Sequence, residues 1–161
     1  MTNNRKAFLD MLAWSEGTSN HPITRNSGYD VIVTGLDGKP EIFTDYSNHP
    51  FANGRPAKVF NKQGQSSTAS GRYQLLYRWY TPYAKMLGLR DFSPASQDAI
   101  ALQQIKERKA LSAIDVGDIV TAINLCSNIW ASLPGNDYGQ RQHNIDYLLD
   151  VYVKSGGQLK K

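Results

Sequence analysis

From Asn4 to Ser15 apolar residues leave only a narrow polar line. Ala7, Phe8, Leu9, Met11, Leu12, Ala13 and Trp14 wrap the helical wheel, with Lys6 and Asp10 as the clear polar strip. That pattern predicts a central helix, capped by Asn3 or Asn4. Residues 29–46 change period: "YDVIV" and "EIFTDY" are β-branched and aromatic, and the turn residues "TGLDGKP" between them predict a hairpin. Residues 47–71 are rich in Gly, Pro, Ser and Asn and too long for a plain connector, which suggests a functional lip or an irregular strand.

From Arg72 onward the pattern is helical. Pro82 predicts a kink or a boundary, and Ser93 with Pro94 predicts the start of a new helix. One helix is expected over 115–133, stopped by Pro134 and Gly135, and a last one over 138–157, closed by Gly156 and Gly157. Helix, small sheet, then many helices is an α+β order with the strands near the N-terminus. No repeat or linker divides the chain, so one domain over 1–161 is expected.

Composition narrows the partners. The 161 residues are 40% hydrophobic and 20% charged, which excludes a disordered chain. A net charge of +4 suits an anionic partner such as nucleic acid, lipid headgroups or an acidic wall polymer, or serves solubility alone. No block of five basic residues occurs, so no nucleic-acid arm is expected. Cys126 is the only cysteine, excludes an internal disulfide, and reads as a packing residue. No leader-like apolar run opens the chain and no 18 uninterrupted apolar residues occur, so membrane insertion is not expected. His21, His49 and His143 sit in polar loop or helix-surface contexts without ligand spacing. No metal is expected, and without a phosphate loop or dinucleotide fingerprint no cofactor either.

Glu16 is the position with chemical promise. On the wheel it falls between Leu9 and Leu12, away from the polar strip, so its carboxyl faces the interior or a cleft. It also meets the carbonyl end of its helix, and Gly17 behind it can turn the chain sharply away. Desolvation and the helix end both disfavour the anion, as a general acid requires. The alternative is a glutamate at a frayed helix end, in solvent or paired with Lys or Arg.

The stretches "RKAFLDMLAWSEGT", "YDVIV", "FTDYS", "GRYQLL", "ALQQIKER", "CSNIWASLPG" and "YGQ" closely resemble, in order, the lambda-type phage endolysins. These are peptidoglycan lytic transglycosylases with a lysozyme-like fold. The likeness runs from about Asn4 to about Gly157 and weakens over residues 50–65 and in the last helix. It implies a small antiparallel sheet and a helical lobe with the active-site cleft between them. It implies Glu16 as the catalytic acid, in the context "WSEGT". "GRYQ" is similar to the family's Gly-x-x-Gln segment, which implies that Gln74 lies along the glycan. Many transglycosylases place Ser directly after the acid, whereas Gly17 and Thr18 follow here.

Sugars are held by aromatic faces and by side chains that both donate and accept hydrogen bonds. Gln74, Tyr73, Tyr46, Ser127, Asn128 and Tyr138 are the candidates for binding the peptidoglycan strand. Trp14, Trp79 and Trp130 lie in helical apolar patterns and are expected to pack. Arg55, Lys58 and Lys62 could meet stem-peptide carboxylates or be plain solvated charge. Most glycosidases need two carboxyl groups. Asp30 and Asp45 are possible seconds, though turn or strand-end roles suit them better. A transglycosylase needs only Glu16; a muramidase would use one of the aspartates, and a binding module neither. The resemblance further implies a monomer held in the host cytoplasm until a separate holin-type pore lets it reach the wall.

Overall fold

The computed structural model describes residues 1–135 and 143–161. They pack into two compact units, Met1–Glu16 with Ala101–Lys161, and Gly17–Ile100. Among the described residues all four strands belong to the second unit, so the architecture is α+β with segregated strands.

Helix α1 (Asn3–Ser15) is the centre of the first unit. Ala7, Phe8, Leu9, Met11, Leu12 and Ala13 are at most 2% exposed, as an all-round apolar helix requires. Lys6 and Asp10 pair across one turn at 3.2 Å on its polar strip. The cap is Thr2, whose hydroxyl accepts from the Arg5 amide, and not Asn3 or Asn4. Asn4 instead ties distant backbone together: its amide donates to Ile114 O (3.0 Å) and its carbonyl accepts from the Gln158 amide (3.0 Å). α1 packs against α4 (Leu111–Asp115) and α6 (Ile145–Lys154).

The helix expected over 115–133 is shorter, and an earlier helix ends where it was expected to begin. α4 ends at Asp115, and α5 (Ile119–Cys126) starts anew because Asp118 caps it, accepting from the Thr121 amide and hydroxyl. Its end at Cys126 leaves residues 127–133 in turns. α6 is capped by Asn144; the start expected at Tyr138 lies outside the described residues. Cys126 is free and buried among apolar neighbours, which pushes its thiol up to about 12.

In the second unit β1 (Val31–Ile32) pairs antiparallel with β2 (Glu41–Ile42), and β3 (Lys58–Val59) with β4 (Ser66–Ser67). The second hairpin occupies the segment read as a lip. Arg55 and Lys58 both pair with Glu41, so neither is plain solvated charge. α2 (Tyr77–Leu87) runs through Pro82 without a boundary. Pro82 is exposed, and the carbonyl it cannot serve, that of Arg78, belongs to an exposed residue as well. α3 (Pro94–Glu107) starts as expected: the Ser93 hydroxyl accepts from the Ser96 amide and Pro94 is its first residue.

The core here is Ile32, Phe43, Phe51, Leu75, Tyr80, Ala84, Phe92 and Ile100. His49 sits inside it, 1% exposed, ringed by Phe51, Tyr77, Tyr80 and Phe92 at centroid distances of 4.9–6.0 Å. The polar loop context expected for His49 is therefore corrected. Its Nε2 meets Leu75 O (2.9 Å) and its Nδ1 accepts from the Phe51 amide (3.2 Å), so a neutral ring satisfies both. Trp130 is 2% exposed and Trp14 is half-buried against His143 at 4.8 Å, whereas Trp79 is 48% exposed and does not pack inward as expected.

Candidate active site

Glu16 closes α1 as its C-cap residue. Its amide donates to Leu12 O (2.8 Å), and Gly17 follows at φ 75°, a left-handed turn that glycine enters without a Cβ clash. The chain thus turns off the helix directly behind the carboxyl. Burial pushes the Glu16 pKa up to about 7, and the Ser132 hydroxyl, by hydrogen bonding, pulls it partly back. Among the described residues no Lys or Arg pairs with it, so the ion-pair alternative finds no partner there.

The surroundings of Glu16 in its own unit are fixed by side chains that sequence reasoning missed. Ser132 Oγ lies 2.8 Å from Ser15 Oγ. His143 donates its amide to Ser132 O (3.1 Å), meets Ser15 O through Nε2 (3.0 Å), and tilts against Trp14. A partner for one of the last α1 carbonyls is a common need of helix ends. No sequence period pairs residue 15 with 132 or 143, so only the fold reveals the cluster.

The other candidates fall into different circumstances. Ser127 is buried and its hydroxyl donates to Asn124 O (2.9 Å), while Asn128 is exposed. Tyr138 lies outside the described residues. Tyr46 is half-buried, packs on Phe43 at 5.0 Å, and its hydroxyl accepts from Asn26 (2.9 Å). Tyr73 is 5% exposed and donates to Asp98 Oδ1 (2.7 Å), so its ring offers a sugar almost no face. The burial and the Asp98 bond tie this sugar-binding candidate to the turn beside it.

Gln74 is held at φ 55° at the end of that turn, and its amide donates to Gly71 O (2.9 Å) and Val31 O (3.3 Å). Buried Gln97 locks the turn from behind: its carbonyl accepts from the Arg72 amide (2.9 Å) and its amide donates to Tyr29 O and Phe92 O. Gln97 is detectable in sequence as a polar residue three and four positions before the core residues Ile100 and Ala101. Gly71 has φ 83°, and a Cβ there would fall 2.3 Å from Gln97 Oε1. Gly71→Ala is therefore expected to destabilise by more than ~1 kcal/mol, read as a thermal midpoint lowered by about 2–4 °C or more.

Asp30 and Asp45 are both engaged by loops. Asp30 is buried and accepts from the Thr24 hydroxyl and the Arg25 amide (2.9 Å). Asp45 is exposed, accepts from the Ser47 amide (2.9 Å), and is held below the usual carboxylate range by Ser47. A cavity of about 530 Å³ lies in the Gly17–Ile100 unit, lined by Ile42–Asp45, Asn48–Pro50 and Asn53–Arg55. Among the described residues no group of three His, Cys, Asp or Glu could hold a metal ion, and no helix is long and apolar enough to cross a membrane.

A half-buried acid at a helix end, with its pKa pushed up to about 7 and a sharp glycine turn behind it, can give a proton and take one back. The endolysin family profile matches residues 6–159. The chain belongs to the endolysin family. It is 66% identical over 154 residues to the endolysin of Escherichia phage P2, covering 96% of this chain and 93% of that one. It is 58% identical over 162 residues to the endolysin of Escherichia phage lambda, covering 100% and 96%. Among solved structures it matches bacteriophage lambda lysozyme complexed with a chitohexasaccharide at 58% identity and TM-score 0.89, covering 99% of this chain and 98% of that one. A second match is lysozyme from bacteriophage lambda, at 56% identity and TM-score 0.85 over the same shares. This endolysin therefore has the α+β lysozyme fold, with Glu16 at the end of its first helix.

Proposed function

We propose that this endolysin cleaves the β-1,4 bond between N-acetylmuramic acid and N-acetylglucosamine in peptidoglycan without consuming water, causing host lysis. One observation carries the reading: the Glu16 carboxyl is pushed up to about 7, while Asp30 and Asp45 serve their own loops. The family and the chitohexasaccharide seen on the lambda enzyme support a glycan substrate.

Glu16 protonates the glycosidic oxygen as its bond to the muramic C1 breaks, which frees the 4-hydroxyl of N-acetylglucosamine. The substrate's acetamido oxygen stabilises the cationic carbon. The Glu16 carboxylate then takes the proton of the muramic 6-hydroxyl as that oxygen bonds to C1. The acid is regenerated and a 1,6-anhydro end remains. An internal hydroxyl competes well with water because its effective concentration is high. Gln74, Tyr73, Tyr46, Ser127 and Asn128 are the described candidates for holding the strand. The reading includes a monomer that waits in the host cytoplasm and reaches the wall through a separate pore, as the family resemblance implies.

Digestion of purified sacculi in ¹⁸O-labelled water decides the chemistry. Anhydro ends without label are expected in mass spectra. Labelled reducing ends would instead establish a hydrolytic muramidase on the same fold.

A further inference from the structure

α2 carries more apolar surface than its core uses. Tyr80 and Ala84 are buried in the aromatic core, with Tyr77, Tyr83 and Leu87 packed beside them. Trp79 and Met86 are not: they are 48% and 60% exposed. Seven residues apart, they share one line of the helix to within about 20°. Pro82 and Tyr83 lie between them, exposed and half-buried.

The flank of this stripe is basic. Arg78 and Lys85 each precede one of the two apolar residues, so they form a parallel exposed line. The Arg78 guanidinium lies 5.5 Å from the Trp79 ring centre. Arg90 follows just after the helix, exposed, and no Asp or Glu occurs from Tyr77 to Arg90. None of these residues lines a described pocket or takes part in the proposed sugar chemistry.

We propose that this face of α2 docks on an anionic phospholipid surface. An apolar line rimmed by cations matches headgroup phosphates lying beside hydrocarbon, and Trp favours that boundary. A second copy of the same face would bring Arg78 and Lys85 against their like, which opposes self-association. Docking of this kind is interfacial: the helix lies on the membrane plane and does not cross it.

The test is cosedimentation of the whole protein with phosphatidylglycerol–phosphatidylcholine vesicles and with pure phosphatidylcholine vesicles. Binding to the anionic vesicles alone is expected, weakening as salt rises. Arg78→Gln with Lys85→Gln should lower partition about thirtyfold, from the usual contribution of two cations near such a surface. Trp79→Ser with Met86→Gln should also abolish sedimentation with vesicles, while activity on purified sacculi stays at the parental level. All four residues are exposed, and unchanged thermal midpoints verify folding. The proposal is overturned if the parent ignores anionic vesicles at low salt, or if either double variant binds them undiminished. It is also overturned if the variants lose sacculus binding or a concentration-dependent dimer while keeping the vesicles.

Discussion

Glu16→Gln is expected to lower bacteriolytic turnover by about 10³–10⁴-fold while leaving glycan binding intact. The amide has the same size and can still hydrogen-bond Ser132, so the end of α1 should keep its shape. What disappears is the exchangeable proton. A general acid contributes roughly 10²–10⁴ to rate, and in the proposed cycle Glu16 serves twice, as acid and then as base, which places the loss in the upper part of that range. The pH dependence has a definite sign. The first step needs the protonated form, and with the pKa at about 7 the activity should fall as pH rises through that value. Turbidity loss on sacculi, with a parallel pull-down for binding, checks both. Undiminished lysis by the variant would remove Glu16 from the mechanism.

How much of this can be read from the chain depends on the kind of signal. α1 is plain in sequence because its core face and its polar strip each obey the helical period. α3 is plain because Ser93 and Pro94 both favour a helix start. The strands are only two residues long, too short for any alternation, so the second hairpin within 47–71 leaves no pattern. The break between α4 and α5 turns on Asp118, which competes as a cap only once the backbone has turned. At the site, Glu16 is legible because local effects act on it: helix end, following glycine, interior sector. Tyr73 is not, because its burial depends on Asp98, 25 residues away in sequence. Ser132 and His143 depend on chain separations of 117 and 128 residues. His49 is misread for the same reason, since Tyr77, Tyr80 and Phe92 from distant segments join Phe51 beside it and convert a loop histidine into a core residue.

That histidine carries the second large expectation. Burial pushes the His49 pKa down from 6.5 to about 4, while the bond to Leu75 O acts the other way. The unfolded chain therefore binds a proton that the folded one refuses. His49 leaves stability untouched above pH 6.5 and lowers it as pH falls toward 4, by about 3 kcal/mol in full. Glu16 acts with the opposite sign. Its folded pKa of about 7 against 4.5 means that the folded chain keeps a proton the unfolded one releases. Its contribution is absent below pH 4.5 and lowers stability as pH rises toward 7, by a similar ~3 kcal/mol. Between pH 4.5 and 6.5 the two slopes oppose each other, so the stability of the parent should vary little. Asp91 and Asp115, held below 3.8 by hydrogen bonds from Ser96 and Arg5, add acid sensitivity only beneath that window. Single variants should therefore expose one slope each in urea titrations. Glu16→Gln should leave a protein whose stability rises with pH across the window and exceeds the parent's near pH 8. His49→Gln should be less stable overall, because one buried hydrogen bond is lost, yet its stability should fall with pH. NMR of the His49 ring in the parent gives a second reading: it should remain neutral down to about pH 4. A His49 that titrates near 6.5 in the folded protein, or variants whose slopes match the parent's, would show that these two groups do not set the acid response.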